Sequence, residues 1–247
     1  MRTPTLLTFG DSLSFHGPDG PYPADEERLW PNLAAAALGG HAELVASAGW
    51  TARDAFWALA SDPRVWSLLP KADVLVLAVG SMDTLPSPLP TYLREGLRYL
   101  RPDPLRRFVR DRYLAAQPWL ARVTRGRPVA LPAGLTVRYL DRMLDSIRAL
   151  RPDLPAVGVL PPVHRASSYG HVHTGRLVGA KAIRTWGEQV GVPLLDLAEL
   201  VGEHVLSGRG NPDGIHWGWA GHERVGKALA ELVGPLLTRK PDEHHVG

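Results

Sequence analysis

A serine near one end of the chain and an aspartate–histidine pair near the other have the residue types of nucleophilic catalysis. Ser12 follows a β-favouring run, Thr5 to Phe9, and the intervening Gly10 lets the backbone turn because it has no Cβ. We therefore expect Ser12 at the carboxyl end of a strand, where open α/β sheets place their sites. A hydroxyl there, beside unpaired amide N–H groups, suits a nucleophile next to an oxyanion hole. Taken alone, the stretch fits equally well an Asp11 or Ser12 that caps a following helix.

Asp213 and His216 stand three residues apart in a glycine-containing turn, just before the last helical pattern. At this spacing a carboxylate can hold the Nδ1–H of an imidazole, which fixes the tautomer and stabilises the imidazolium. Nε2 is then available to take the proton of a serine hydroxyl. Alone, the pair is better explained as a helix-start aspartate and a packed histidine. Together with Ser12 at a strand end, the catalytic interpretation is favoured.

The composition of the chain excludes several kinds of chemistry. Its 247 residues include no cysteine, which excludes disulfides, thiolate nucleophiles and cysteine-ligated metals. The stretch His171-Val172-His173 has no third ligand nearby in sequence, so we expect no metal. A net charge of +3 gives no reason to expect a nucleic-acid partner. Without a long apolar run or a signal-peptide pattern, we expect no membrane span and a cytoplasmic location.

Apolar periodicity predicts strands that alternate with helices. Strands are expected at residues 5–9, 42–48, 73–79, 156–160 and 193–197, and helices at about 25–38, 51–60, 135–150, 179–190 and 219–237. Residues 15–23 are too rich in glycine and proline for regular structure. The pattern predicts a single α/β domain over residues 1–247, with a parallel sheet covered on both faces.

An arginine-rich insertion interrupts this pattern at about residues 86–134. Pro86, Pro88 and Pro90 break the chain, and residues 94–127 contain ten arginines against three acidic residues. We expect the insertion to be helical in pieces. As a group, the arginines suit a cover over the site that attracts phosphates or a carboxylate. For any single arginine, an ordinary solvated helical face is the simpler alternative.

Motifs along the whole chain resemble those of the SGNH/GDSL hydrolase superfamily. The match includes the nucleophile block, the closing Asp-x-x-His block, the glycine of the oxyanion hole and the Gly-x-Asn-Asp block. These correspond to Gly10 to Ser14, Asp213 to His216, Gly49, and Gly80 to Asp83.

This resemblance implies a flavodoxin-like three-layer α/β/α sandwich with a five-stranded parallel sheet. It implies Ser12 as the nucleophile, His216 as the base and Asp213 as the residue that orients the base. The amides of Ser12 and Gly49 would form the oxyanion hole.

One position departs from the superfamily pattern. Met82 stands where the family has an asparagine that donates a hydrogen bond to the oxyanion, and a thioether donates none. Loss of one such donor costs roughly 2.7–4 kcal/mol in other enzymes. Either another group replaces the asparagine or the hole relies on the Ser12 and Gly49 amides. The departure suits a specialised acyl donor.

Three longer stretches resemble a group of actinobacterial acyltransferases within the superfamily. They span residues 6–18, 49–55 and 211–219. This resemblance implies transfer of an octanoyl group from octanoyl-CoA to a glucose hydroxyl of diglucosylglycerate, early in the assembly of methylglucose lipopolysaccharide. Acyl-CoA would be a co-substrate, and the resemblance implies no cofactor. The oligomeric state is left open.

Candidate substrate contacts lie beside the catalytic motifs and in the insertion. Tryptophan rings stack on sugars or line acyl pockets, although core packing is their commoner role. The candidates are Trp50, Asp83, Trp217, Arg94 and Arg98.

Two other functions fit the same residues. A plain esterase or thioesterase would use the same triad and would hydrolyse acyl esters whether or not a sugar is present. A non-catalytic carbohydrate-binding protein on this fold is allowed by the missing donor at Met82.

Overall fold

The computed structural model describes residues 3–89, 93 and 96–238, and a five-stranded parallel sheet forms its centre. The sheet strands are β1 (Thr5–Gly10), β4 (His41–Ala46), β5 (Val74–Ala78), β6 (Ala156–Leu160) and β7 (Leu194–Asp196), and a separate hairpin consists of β2 (His16–Gly17) and β3 (Gly20–Pro21). The strands lie side by side in the order β4-β1-β5-β6-β7. Counting only the sheet strands, this is the flavodoxin-like order 2-1-3-4-5. The predicted fold class is confirmed.

Helices cover both faces of the sheet. Within the described residues they are α1 (Trp30–Ala37), α2 (Ala52–Ser61), α3 (Pro63–Leu68), α4 (Asp103–Val123), α5 (Ala133–Arg148), α6 (Gly175–Val190), α7 (Leu197–Leu206) and α8 (Trp219–Thr238). α2, α5 and α6 contribute to one apolar cluster, and α1, α7 and α8 to another. The result is a three-layer α/β/α sandwich. None of the described helices is both long and apolar enough to cross a membrane.

β5 shows how the sequence builds the two apolar layers. Successive side chains of a strand point to opposite faces of the sheet. Accordingly, Leu75 and Leu77 join one cluster, whereas Val74 and Val76 join the other. All five residues of β5 are buried, as a parallel strand covered on both faces requires. Because β1 and β5 pair in parallel, the segments that follow them meet at the same edge of the sheet.

The first helix begins later than predicted. The sequence predicts a helix from about residue 25, but α1 starts at Trp30. The side-chain amide of Asn32 donates hydrogen bonds to the carbonyl oxygens of Ala24 and Glu26, both at 2.8 Å. These bonds hold the preceding segment in turns. The prediction of no regular structure at residues 15–23 is also wrong, because β2 and β3 pair there.

The last strand is shorter than predicted because a helix follows it directly. Asp196 ends β7, and its carboxylate accepts hydrogen bonds from the N–H groups of Ala198 and Glu199 at 3.0 and 3.4 Å. The aspartate therefore caps α7, a helix that the sequence analysis missed.

In its described residues the insertion is helical in separate pieces, as expected: a 3₁₀ turn at Leu97–Tyr99 precedes α4. α4 is 21 residues long and continues through Pro118. The two ends of the insertion meet: Ser87 N–H donates to Pro128 O at 2.8 Å, and Ala130 N–H donates to Leu85 O at 2.9 Å. The chain therefore leaves and re-enters the sheet region at neighbouring points.

Candidate active site

Ser12 lies immediately beyond β1, in a short 3₁₀ helix. Asp11 caps this helix, because the N–H of Leu13 donates to Asp11 Oδ1 at 2.9 Å. The capping interpretation of this stretch therefore holds for Asp11, while the Ser12 side chain is left for another partner.

Two glycines of the site have no room for a Cβ. Gly10 does not have a positive φ; a Cβ there would collide with Ser14 Oγ. Gly214 has a φ of +75°, and a Cβ there would lie 2.9 Å from the carbonyl carbon of Arg165. Larger residues at either position would displace the segments that carry the catalytic side chains.

The turn that carries His216 is held by its own hydrogen bonds. Asp213 Oδ1 accepts from the N–H groups of Ile215 at 2.8 Å and His216 at 3.0 Å. The side-chain oxygen of Asn211 accepts from Asp213 N–H at 3.0 Å, and its amide donates to Gly17 O at 3.1 Å. The turn is thus tied to the β2–β3 hairpin.

The structure brings the three predicted catalytic residues into one hydrogen-bonded chain. His216 Nδ1 lies 2.5 Å from Asp213 Oδ2, and His216 Nε2 lies 2.8 Å from Ser12 Oγ. Beside an ionised Asp213, Nδ1 carries the ring proton and Nε2 accepts from the serine hydroxyl. Ser12 and His216 are nearly buried, at 6% and 9% exposed. The arrangement can remove the proton of Ser12 as the hydroxyl attacks a carbonyl.

The acidic groups of the site differ in their ionisation. Burial by itself would raise the pKa of Asp213, but hydrogen bonds from the His216 ring and from two backbone N–H groups outweigh burial and lower the pKa to about 2. Burial raises the pKa of Asp11 to about 6 and that of Asp83 to about 7, although hydrogen bonds oppose it. Asp213 is therefore the most firmly ionised of these three carboxyl groups at neutral pH, and Asp83 the least.

A second histidine, His16, stacks on the catalytic ring. The ring centroids of His16 and His216 are 4.0 Å apart and their planes are inclined by 25°. Burial and then the neighbouring His216 lower the pKa of His16, so a neutral ring lies beside the place where an imidazolium forms. The backbone oxygen of His16 accepts from His222 Nε2 at 2.9 Å, and His222 Nδ1 accepts from Trp30 N–H at 3.1 Å. His222 thus anchors the hairpin that presents His16.

Two backbone amides, those of Ser12 and Gly49, remain candidates for the oxyanion hole. Gly49 has a φ of +75°, a conformation in which a side chain would be strained. Within the described part of the chain, neither Gly49 N–H nor Ser12 N–H donates a hydrogen bond. Both amides are available to a ligand, whereas Met82 offers no donor.

Two predicted substrate contacts are wrong because their side chains do not reach the surface. Asp83 is 0% exposed, and its carboxylate accepts from Ala52 N–H at 3.1 Å and from Thr136 Oγ1 at 2.8 Å. It fastens the start of α2, close after Gly49, to the turn at Met82–Thr84. Trp217 is 1% exposed within the apolar core.

A groove of about 700 Å³ lies beside Gly49 and Met82, and α4 forms one wall. Arg98 lines this groove, whereas Arg94 lies outside the described residues. Trp50 does not line it and packs against the apolar core. The complete lining is Ala48, Gly49, Met82, Leu97, Arg98, Arg106, Arg107, Arg110, Tyr113, Leu114, Gln117 and Tyr169.

The sequence analysis missed the individual residues of this wall because it treated the arginines as a group. Arg106, Arg110, Tyr113 and Gln117 are spaced by four, three and four residues, which places them on one helical face. This spacing was the signal that would have identified them. His16 was part of a matching stretch, but nothing in the sequence indicated its stacking on His216.

The candidate metal ligands have other partners. His173 Nε2 lies 2.9 Å from Thr84 Oγ1, while His171 is exposed. His16, Asp213 and His216 do place potential ligand atoms within 4.8 Å of one another. However, Asp213 and both nitrogens of His216 are already engaged in the hydrogen-bonded chain to Ser12.

The fold together with a Ser-His-Asp arrangement defines the class of serine-dependent acyl hydrolases and acyltransferases. The chain matches the GDSL-like Lipase/Acylhydrolase family over residues 8–224, and it belongs to this family. It is 52% identical over 238 residues to the diglucosylglycerate octanoyltransferase of Mycolicibacterium hassiacum, covering 95% of this chain and 98% of that protein. The protein of the same name from Mycobacterium tuberculosis is 48% identical, with 95% of each chain covered. A carbohydrate acetylesterase family member from Sinorhizobium meliloti has the same fold, with a TM-score of 0.60, 19% identity and coverage of 95% and 99%.

Proposed function

We propose that this protein is an acyltransferase that moves an octanoyl group from octanoyl-CoA to a glucose hydroxyl of diglucosylglycerate. The carrying observation is the hydrogen-bonded chain Ser12–His216–Asp213, with Gly49 at the edge of an arginine-lined groove. Two relatives named for this activity, 52% and 48% identical, support the choice of substrates. An acyl-CoA donor also fits the cytoplasmic location that the sequence predicts.

The triad accounts for both half-reactions. Ser12 Oγ attacks the thioester carbon while His216 Nε2 takes the hydroxyl proton, and the carbonyl electron pair moves onto oxygen. When this oxyanion collapses, the C–S bond breaks and the CoA thiolate leaves with the proton from His216. The sugar hydroxyl then gives its proton to His216 and attacks the acyl-enzyme. Ser12 leaves, regains that proton, and the enzyme returns to its starting state.

The groove suits the two ends of such a donor. Guanidinium groups bind phosphates through charge-assisted hydrogen bonds, and CoA carries three phosphoryl groups. Arg106 and Arg110 pair with Asp103 and Asp111 at 3.3 and 3.1 Å, but both acidic side chains are largely exposed. Such surface pairs are worth only about 0–1 kcal/mol, so they yield readily to a phosphate. Near the triad, the apolar side chain of Met82 offers a surface for an acyl chain.

The proposal is tested by mixing purified protein with octanoyl-CoA and diglucosylglycerate and following the products by mass spectrometry. We expect an octanoylated sugar that is absent with Ser12→Ala and present with Ser67→Ala, a matched change at an exposed serine. Free octanoate alone would show a thioesterase instead. No product from any acyl ester would favour the non-catalytic alternative.

The donor part of the proposal is tested with groove variants. Arg106→Gln and Arg107→Gln should raise KM for octanoyl-CoA and leave hydrolysis of p-nitrophenyl octanoate unchanged, because that ester has no phosphate. The exposed Arg138 on α5 provides the control, Arg138→Gln. An increase in KM for diglucosylglycerate alone would assign the arginines to the glycerate carboxylate.

A further inference from the structure

Gln117 is a buried polar residue in the groove wall for which the triad chemistry gives no role. It is 9% exposed and lines the groove together with Gly49 and Met82. Its carboxamide forms no hydrogen bond with any of the described residues. The carboxamide nitrogen and oxygen do not belong to the fully buried, unpartnered atoms of the described residues, so they remain open to whatever occupies the groove. We therefore look for its partner among the groups that a ligand brings into the groove.

The position of Gln117 along α4 separates it from the charged part of the groove. Gln117 lies eleven residues after Arg106, which is about 16 Å along a helix. It and Ala121 are the buried residues of α4, so this end of the helix is the anchored one. Arg122 Nε adds a hydrogen bond of 3.3 Å to the carbonyl oxygen of Gly170. The backbone that carries Gln117 is thus anchored, which limits the positions that its carboxamide can reach.

The expected oxyanion hole lacks one hydrogen-bond donor, at Met82. Met82 takes the place of the family's asparagine, and its thioether cannot donate to an oxyanion. A glutamine has the same carboxamide as asparagine, with two N–H donors and one more methylene group. Gln117, Gly49 and Met82 line the same groove.

We propose that the Gln117 carboxamide donates a hydrogen bond to the oxyanion, in place of the missing asparagine. The proposal rests on the proposed function, because this oxyanion forms when Ser12 attacks an acyl donor. With the Ser12 and Gly49 amides, Gln117 completes a three-donor hole. Its donor comes from the insertion, so the insertion contributes to the chemistry as well as to donor binding.

The test uses p-nitrophenyl octanoate first, because its attack by Ser12 forms the same oxyanion without CoA or sugar. Gln117→Leu should lower kcat by about 10²- to 10³-fold while KM changes little. Gln189→Leu, at an exposed glutamine of α6, is the matched control and should leave kcat unchanged. If Gln117→Leu does not fold, as judged by circular dichroism, Gln117→Glu keeps the side-chain size and removes the donor.

A rescue separates this role from a structural one. Met82→Asn in the Gln117→Leu background restores the family's own donor, and we expect it to recover at least about tenfold in kcat. In the wild-type background the same change should add little. The proposal is overturned if Gln117→Leu keeps the wild-type kcat, or if only KM for diglucosylglycerate rises. Wild-type activity on the ester without octanoylated sugar would instead overturn the proposed function and leave the Gln117 test intact.

Discussion

At the scale of single residues, the proposed mechanism depends on which nitrogen of His216 carries the proton. Asp213, with a pKa of about 2, is ionised and accepts from Nδ1–H, which leaves Nε2 as the base toward Ser12. Asp213→Asn removes the charge and favours the opposite tautomer. We expect kcat to fall on the order of 10⁴-fold, measured with p-nitrophenyl octanoate. The exposed Asp153 gives the control, Asp153→Asn; an unchanged kcat for Asp213→Asn would contradict the assigned role.

The engagement of the same side chains leads to a prediction about metals. Because Asp213 and His216 are bonded within the triad, we expect the reaction to proceed without a bound ion. Dialysis against EDTA should therefore leave kcat for both ester hydrolysis and transfer unchanged. A loss of activity that Zn²⁺ restores would show that His16, Asp213 and His216 hold a metal instead.

Residue types and spacing were enough to predict which three side chains form the hydrogen-bonded chain, because each motif is local in the sequence. The environment of Asp83 was not predictable, since its partner Thr136 comes 53 residues later on α5. The reason for a glycine at position 10 was also not predictable. Gly10 has no positive φ, and it is the close approach of Ser14 that leaves no room for a Cβ.

At the scale of secondary-structure elements, strong apolar patterns predicted well and short or interrupted ones did not. The final helix was expected at about 219–237 and is α8. α3 has only six residues, too few for a periodic pattern, and α7 follows β7 without a loop that would mark its start. Pro118 lacks an N–H to donate, yet α4 continues through it.

The contact between α8 and the β2–β3 hairpin leads to a pH-dependent stability. The pKa of His222 is lowered from 6.5 to about 4, chiefly by burial. The hydrogen bond to the His16 carbonyl raises this pKa, and the nearby His216 lowers it further. Below pH 6.5 the unfolded chain takes up a proton that the folded state resists, so stability decreases as the pH falls from 6.5 to 4. At 1.36 kcal/mol per pKa unit the loss is about 3 kcal/mol.

This contribution is measured by denaturant unfolding of His222→Gln at several pH values. The variant should be less stable than the wild type at pH 7, because it loses hydrogen bonds to Trp30 and His16. The difference should shrink by about 3 kcal/mol as the pH falls to 4. Comparison of the two chains cancels the opposite contributions of Asp11 and Asp83, whose raised pKa values favour folding at lower pH. His41→Gln, at an exposed histidine, serves as the control, and a constant difference would contradict the assignment.

At the scale of the whole molecule, the two apolar clusters share the strands of one sheet. Val76 and Leu77 are adjacent in β5 but belong to opposite clusters. Neither layer can lose its packing without exposing the other side of the same strand. We therefore propose that residues 1–247 form a single domain, with the insertion attached to it at neighbouring points near Leu85 and Ala130.

The insertion should nevertheless be the less stable part of this domain. All residues of β5 are buried, whereas Gln117 and Ala121 are the buried residues of the 21-residue α4. Amide hydrogens exchange through the smallest opening that exposes them. We expect α4 to exchange through local opening and β5 only through global unfolding.

The ligand experiment uses the Ser12→Ala protein, because it cannot turn over its donor. Octanoyl-CoA should slow amide exchange in α4 more than in β5, whereas octanoate should not slow it. Equal exchange of the two elements, or no effect of octanoyl-CoA on α4, would contradict the assignment of the insertion as the donor-binding cover.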